Sequence, residues 1–324
     1  MSNLEADPAE TVCLAEPPAA GVEILEPRDV PLGGPRALSV RRTLPQRARS
    51  LVGAWCFADS YGPVPSDSPG TMDVPPHPHT GLQTVSWLYA GEVEHRDSVG
   101  SHAMIEPGQV NLMTAGAGIQ HSEVSTRHGG GLHGVQLWTA LPDASRHVPP
   151  FFESHTPQPI RVGDATVRVF VGSLAGASSP VSAFTGLVGA QVDLPARGVV
   201  EFAVDERFEH AFLVDAGGPA LQGTIVPADH LGFVPAGARI LRLEAGDAYV
   251  RGLLIGGEPL GEPIVMWWNF IGRSHDEIVA FREQWHADVI DGADLAGRFG
   301  TVHGYPGPAL AAPAMPSVRL RPRD

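Results

Sequence analysis

The sequence predicts an all-β protein of two jelly-roll-like barrels in tandem, followed by one short C-terminal helix. Three observations predict it. Glycine and proline are abundant, 38 and 31 of 324 residues, which favours tight turns over long helices. Short β-rich runs alternate with turn residues, at the spacing of barrels and jelly rolls. The pattern breaks in a Pro-rich connector at 142–160 and then resumes for a comparable length.

Residues 1–20 are rich in Ala, Glu and Pro and are expected to be flexible. The first barrel is expected over 21–145. An apolar, aromatic run from Leu51 ends in a turn at Gly62-Pro63, and a Pro/Gly/Ser-rich loop leads to His77. Strands are expected at 84–89, 93–97, 110–114, 121–123 and 134–139. The second barrel is expected over 160–290, with strands at 166–171, 184–192, 199–204, 211–214, 239–243 and 249–255. Ser274 and Glu277 match a capping box. Ile278, Phe281 and Trp285 recur at helical spacing, so a helix over 274–288 is expected to pack on a barrel. The tail 307–324 is Pro- and Ala-rich and is expected to be loose.

The formal net charge of −14 argues against non-specific nucleic-acid binding, which rests on neutralising phosphates. Cys13 and Cys56 are too few for a disulfide framework or an all-thiolate metal site, so a cytoplasmic, reducing compartment is expected. No signal peptide and no apolar run long enough for a bilayer are apparent, so no membrane partner is expected.

The chemistry concentrates in two short segments, His77-Pro78-His79 and His121-Ser122-Glu123. Residues two apart on a strand share a face. If the two segments face each other in a barrel, three imidazoles and one carboxylate converge on one point. That is a mononuclear metal site without thiolate. Nine of the 14 histidines lie between His77 and His155, so spacing and not clustering selects these four residues. His95, with Asp97, reads as a supporting or structural residue. His102, His128, His133, His147 and His155 read as solvated loop residues. His210 and His230 lack an i+2 partner, so one metal per chain is expected. Gly116-Ala117-Gly118 has no following Lys-Ser/Thr and is not a phosphate loop.

At these residues the chain resembles the pirins, a family of the cupin superfamily. The resemblance runs over roughly 38–290. It is carried by His77-Pro78-His79-Thr80-Gly81, by the run from Gly91 to Ser98 with His95-Arg96-Asp97, by Pro107-Gly108 and by Met113 to Glu123. Leu137-Trp138-Thr139-Ala140-Leu141-Pro142 and Asp59-Ser60-Tyr61-Gly62-Pro63 also match. It implies a bicupin whose first barrel holds one divalent metal, usually Fe(II), on His77, His79, His121 and Glu123. Nickel, zinc, manganese and copper are alternatives. It implies a second barrel that has lost its ligands. Two departures stand out: Ser60 replaces a His common in the family, and Gln83 replaces a Glu.

Some pirins act as quercetin 2,3-dioxygenases. The resemblance therefore implies a dioxygenase taking a small aromatic, enolic substrate and O2, with Glu123 as ligand and proton acceptor and the 54–61 stretch walling the pocket. Other pirins are redox-responsive regulators that bind a protein partner without turnover, and the motifs do not separate the two. A monomer is expected.

Overall fold

The computed structural model describes residues 21–32, 38–65, 72–126 and 131–322. The expectation for 1–20 lies outside them. The chain forms the two all-β barrels that the turn spacing predicts, and every ladder between its strands is antiparallel. In the first barrel, a seven-stranded sheet runs in the order Phe151–His155, Val110–Thr114, Leu82–Ala90, His133–Ala140, Trp55–Tyr61, Leu38–Leu44 and Arg28–Leu32. It is accompanied by a four-stranded sheet in the order Asp73–His79, Ile119–Ser125, Val93–Asp97 and His102–Ile105. The second barrel repeats the plan with an eight-stranded sheet built around Val250–Gly257 and a four-stranded one built around Ile240–Glu244.

Two segments cross the expected boundaries. Phe151–His155, in the expected connector, pairs with Val110–Thr114 and extends the first barrel's larger sheet. Glu23–Leu25, expected in the first barrel, pairs with Leu231–Phe233 of the second. Leu25 thereby enters the core that joins the barrels.

That core is continuous across the junction. Trp55, Val85, Trp87, Leu112 and Leu137 from the first barrel pack with Phe170, Leu213, Phe233, Leu253 and Ile255 from the second. Two indoles add directional contacts. Trp87 stacks on Phe170 at 4.7 Å and donates to Gln191 Oε1 at 2.8 Å, and Trp55 donates to the Gly256 carbonyl at 3.0 Å. Buried indole N–H groups need such acceptors. His133, expected to be solvated, instead meets Asp215 of the second barrel at 2.6 Å, and Arg251 lies over Tyr89 beside it.

The α-helix spans His275–Trp285. Ser274 Oγ accepts from Glu277 N at 3.2 Å, as the capping box requires. Glu277 reaches back one residue further than expected and accepts from Arg273 N. Ile278, Phe281 and Trp285 are buried against Trp267, Trp268 and Phe270. The tail expected to be loose is docked on this helix over its described residues. Trp285 Nε1 donates to the Leu310 carbonyl, Arg282 to the Pro313 carbonyl and Leu310 N to the Pro76 carbonyl. Proline removes donors but leaves every carbonyl as an acceptor, so a Pro-rich tail can be held by side-chain donors without joining a sheet. No described helix is long and apolar enough to cross a membrane.

Arg42 and Asp59 form a fully buried, two-point ion pair, 2.7 Å at each contact, with the guanidinium 4.3 Å above Phe57. Removing one partner of such a pair leaves a desolvated charge. Asp59→Ala is expected to cost about 3–5 kcal/mol, read from urea midpoints, whereas Asp205→Ala in the exposed pair with Arg207 leaves the midpoint in place.

Candidate metal centre

The two histidine-bearing segments are neighbours in one sheet and do not face each other across the barrel. Asp73–His79 and Ile119–Ser125 pair with His77 opposite His121 and His79 opposite Ile119. The register slips between His121 and Glu123, which lies opposite Val74. The surplus residue is on the strand that contains Pro75 and Pro76. Neither has an N–H to give to a ladder, so a bulge forms there. The Pro75 carbonyl is left to accept from His77 Nδ1 at 2.7 Å. After His79 the chain turns at Gly81, at φ +69°, where a Cβ would stand 2.5 Å from the Ile271 carbonyl. Only glycine fits that approach.

His77, His79 and His121 place one ring nitrogen each within 4.8 Å of the others. His79 Nε2 lies 3.1 Å from His121 Nε2. Two ligands at right angles about one ion, each at about 2.1 Å, stand about 3.0 Å apart, so this spacing suits a shared cation. His77 Nδ1 is committed to Pro75, and its buried Nε2 has no hydrogen-bond partner. A buried, unpartnered acceptor calls for an occupant. The residues fit a divalent metal.

Glu123 forms a second close group with His121 and His95. Ser86 Oγ is 3.4 Å from Glu123 Oε1 and 2.9 Å from Gln136 Oε1. Three of the four residues chosen by spacing, His77, His79 and His121, thus form one close group, and Glu123 is joined to it through His121 in a second group that takes in His95. Each of the four is at most 1% exposed. His95 stands behind His121, with Nδ1 3.4 Å from His121 Nδ1 and Nε2 3.1 Å from Asp97 Oδ2.

Gln83 has both ends of its amide engaged. Its Nε2 donates to Thr114 Oγ1 at 2.9 Å and to the Ser182 carbonyl at 3.1 Å, and its Oε1 accepts from Thr139 at 3.2 Å. It bridges to the second barrel's segment and has no amide atom to spare. Ser60 is buried on Trp55–Tyr61. From the 54–61 stretch, Phe57 stacks on Trp138 at 4.0 Å, while Trp55 turns into the barrel junction. Trp138 sets its indole edge-on to His79 at 5.2 Å, and Phe152 stacks on His95 at 4.6 Å. Trp138 stood in a recognisable motif without an assigned role. Ser86, Gln136 and Phe152 carried no sequence signal.

Among the remaining histidines, His102 is exposed and pairs with Glu94, and His147 is exposed. His155 is half-buried on a strand and not in a loop. His128 lies outside the described residues. In the second barrel His210 is buried, whereas His230 Nδ1 donates to the Ala228 carbonyl of its own turn at 2.8 Å.

Residues 37–139 match the Pirin family, and residues 189–290 match the Pirin C-terminal cupin domain. A Pseudomonas aeruginosa protein provisionally named a quercetin 2,3-dioxygenase is 38% identical over 89% of this chain and 89% of its own length. The chain belongs to the pirin family. A pirin-like protein of Caulobacter vibrioides is 37% identical over 79% of this pirin and 91% of its own length. Among solved structures, a quercetin 2,3-dioxygenase from Acinetobacter baumannii superposes with a TM-score of 0.84 at 36% identity, covering 93% of this pirin and 98% of that chain. An Escherichia coli pirin solved with nickel(II), 16% identical with a TM-score of 0.57 over 74% of this chain and 99% of its own, shares the fold.

Burial sets the protonation of the cluster. It pulls the His77 ring down from 6.5 to about 4, and it holds His79 and His121 well below the usual imidazole range, each helped by neighbouring rings. The Asn269 carbonyl counteracts a little of this at His79, although His79 Nδ1 makes no hydrogen bond of good geometry. Neutral rings are the form a metal needs. Burial and the Glu123 carboxylate push the Tyr61 hydroxyl well up, so it stays protonated.

The sign of the pH dependence follows. Between pH 6.5 and about 4 the unfolded chain protonates His77 and the folded one does not. Stability of the metal-free protein is thus intact above 6.5 and declines as pH falls toward 4, by on the order of 3 kcal/mol for His77 alone. Urea midpoints of the metal-free protein at stepped pH check this; a flat profile across that window would contradict buried, neutral histidines.

Proposed function

We propose that this pirin is a metal-dependent dioxygenase of the quercetin 2,3-dioxygenase type, acting on flavonol-like enolic substrates. The observation that carries the reading is the convergence of three buried, neutral imidazoles beside a buried carboxylate on one pair of strands. Support comes from relatives of nearly full length whose names carry that activity.

In this reading His77 Nε2, His79 Nε2, His121 Nε2 and Glu123 hold one divalent ion. Fe(II) is the ion we propose, on the strength of the family, although affinity alone would favour copper or zinc at such ligands. When bound, the ion supplies a Lewis-acid centre and an electron path between an enolic substrate and O2. The protein's own part is positional and protolytic. Pro75 fixes the His77 ring. Trp138 and Phe57 present apolar surface beside His79. Glu123, next to Ser86 Oγ, takes the proton of the substrate's enol.

Turnover of quercetin in air, with O2 uptake and none under nitrogen, tests the proposal. No O2 uptake with any enolic substrate, together with redox-dependent capture of a protein partner, would replace it with the regulatory reading. The ligand assignment is tested separately. Glu123→Gln removes a charged donor and is expected to lower metal affinity by more than about tenfold. Gln83→Ala, whose amide serves Thr114, Thr139 and Ser182, is expected to keep its metal through dialysis. The reverse order of metal contents would refute it.

A further inference from the structure

Asp97, His95 and His121 stand in a line that ends at His79. Asp97 ends the strand Val93–Asp97, and its Oδ1 accepts from Val99 N at 3.1 Å and from Ser101 N at 2.9 Å in the turn that follows. Its Oδ2 faces His95 Nε2 at 3.1 Å. An ionised carboxylate can only accept, so His95 Nε2 carries a proton and donates. With one proton on each ring, His95 Nδ1 is then a lone pair. It lies 3.4 Å from His121 Nδ1, which must donate to it. A proton on His121 Nδ1 leaves Nε2 as a lone pair, 3.1 Å from His79 Nε2.

We propose that Asp97 and His95 form a one-way hydrogen-bond relay that fixes the tautomer of His121 and aims its Nε2 lone pair at the metal position. The inference rests on the metal-site reading only for its consequence; the tautomers themselves are a property of the metal-free protein. Asp97 and His95 are positioning residues, acting through His121. All three members are buried, and His95 is held flat against Phe152.

The polarity can be reversed by one atom. In Asp97→Asn the amide oxygen must keep the Oδ1 place, because an NH2 there would oppose the Val99 and Ser101 N–H groups. The NH2 then takes the Oδ2 place and donates to His95 Nε2. His95 must carry its proton on Nδ1 and His121 on Nε2, which blocks the ligand lone pair. The same substitution in a Ser-His-Asp triad acts through the wrong tautomer with the geometry intact. His95→Gln does the opposite. Its amide can donate to Asp97 and accept from His121, which preserves the direction of the relay.

The test begins with the parent protein, metal-free and 15N-labelled at histidine, in long-range 1H–15N spectra. The expected result is a proton on Nδ1 of His121 and on Nε2 of His95. A proton on His121 Nε2, or a doubly protonated His95, overturns the proposal without any variant. Zn2+ affinity by chelator competition then follows. Asp97→Asn is expected to lose about tenfold or more, with His121 shifted to the Nε2–H form, and His95→Gln to stay within about threefold of the parent. A merely structural role predicts the reverse order, since Asn is nearly isosteric with Asp and Gln forfeits the packing on Phe152. Unchanged tautomer and affinity in Asp97→Asn would overturn the relay while the metal site stands. The expected tautomers in a parent that binds no Zn2+ would uphold the relay and sink the metal reading instead.

Discussion

The antiparallel register between Asp73–His79 and Ile119–Ser125 is the constraint on which the centre depends. Side chains alternate across a strand, so a slip of one residue would send His77 and His79 to the opposite face. The register is held by the turn at Gly81 on one side and by the proline bulge on the other. The bulge has a second effect. It frees the Pro75 carbonyl to hold the His77 ring, so the device that ends regular pairing also orients a candidate ligand. Bulges often re-aim a side chain next to a functional site.

A barrel interior is a costly place for imidazoles. Each ring brings two nitrogens to satisfy, and burial opposes its charge. The protein meets this with the Pro75 carbonyl, neighbouring rings and Asp97. Within the cluster, His77 Nε2 and His79 Nδ1 stay unmatched. Local inconsistency of this kind is expected where function overrides stability.

The proposed ligands all lie in the first barrel, yet the second is not a bystander. Gln83 beside the ligand strand donates to the Ser182 carbonyl, and Trp87 and Trp55 donate across the junction. After the second barrel the chain returns to the first. Ile271 N donates to the Thr80 carbonyl, and Leu310 N to the Pro76 carbonyl. The strand that carries His77 and His79 is therefore tied from outside its own barrel at both ends of the ligand pair. Rigid support of this sort is what holds a metal geometry.

The sequence by itself determined the fold class, the helix with its Ser274 cap and three of the residues that converge, His77, His79 and His121. These are local signals: period-two patterns, turn residues, a capping box and i, i+2 pairs. The tertiary structure decided what depends on partners distant in the chain. It made the two histidine segments neighbours in one sheet, because strand pairing is not written in either strand alone. It drew Glu23–Leu25 to the second barrel and Phe151–His155 to the first, and it docked the tail through donors on Trp285 and Arg282. It also turned His95 and Asp97 from an unremarkable alternation into a directed chain ending at His121. The direction comes from the Val99 and Ser101 N–H groups, whose claim on Asp97 exists only once the turn has formed.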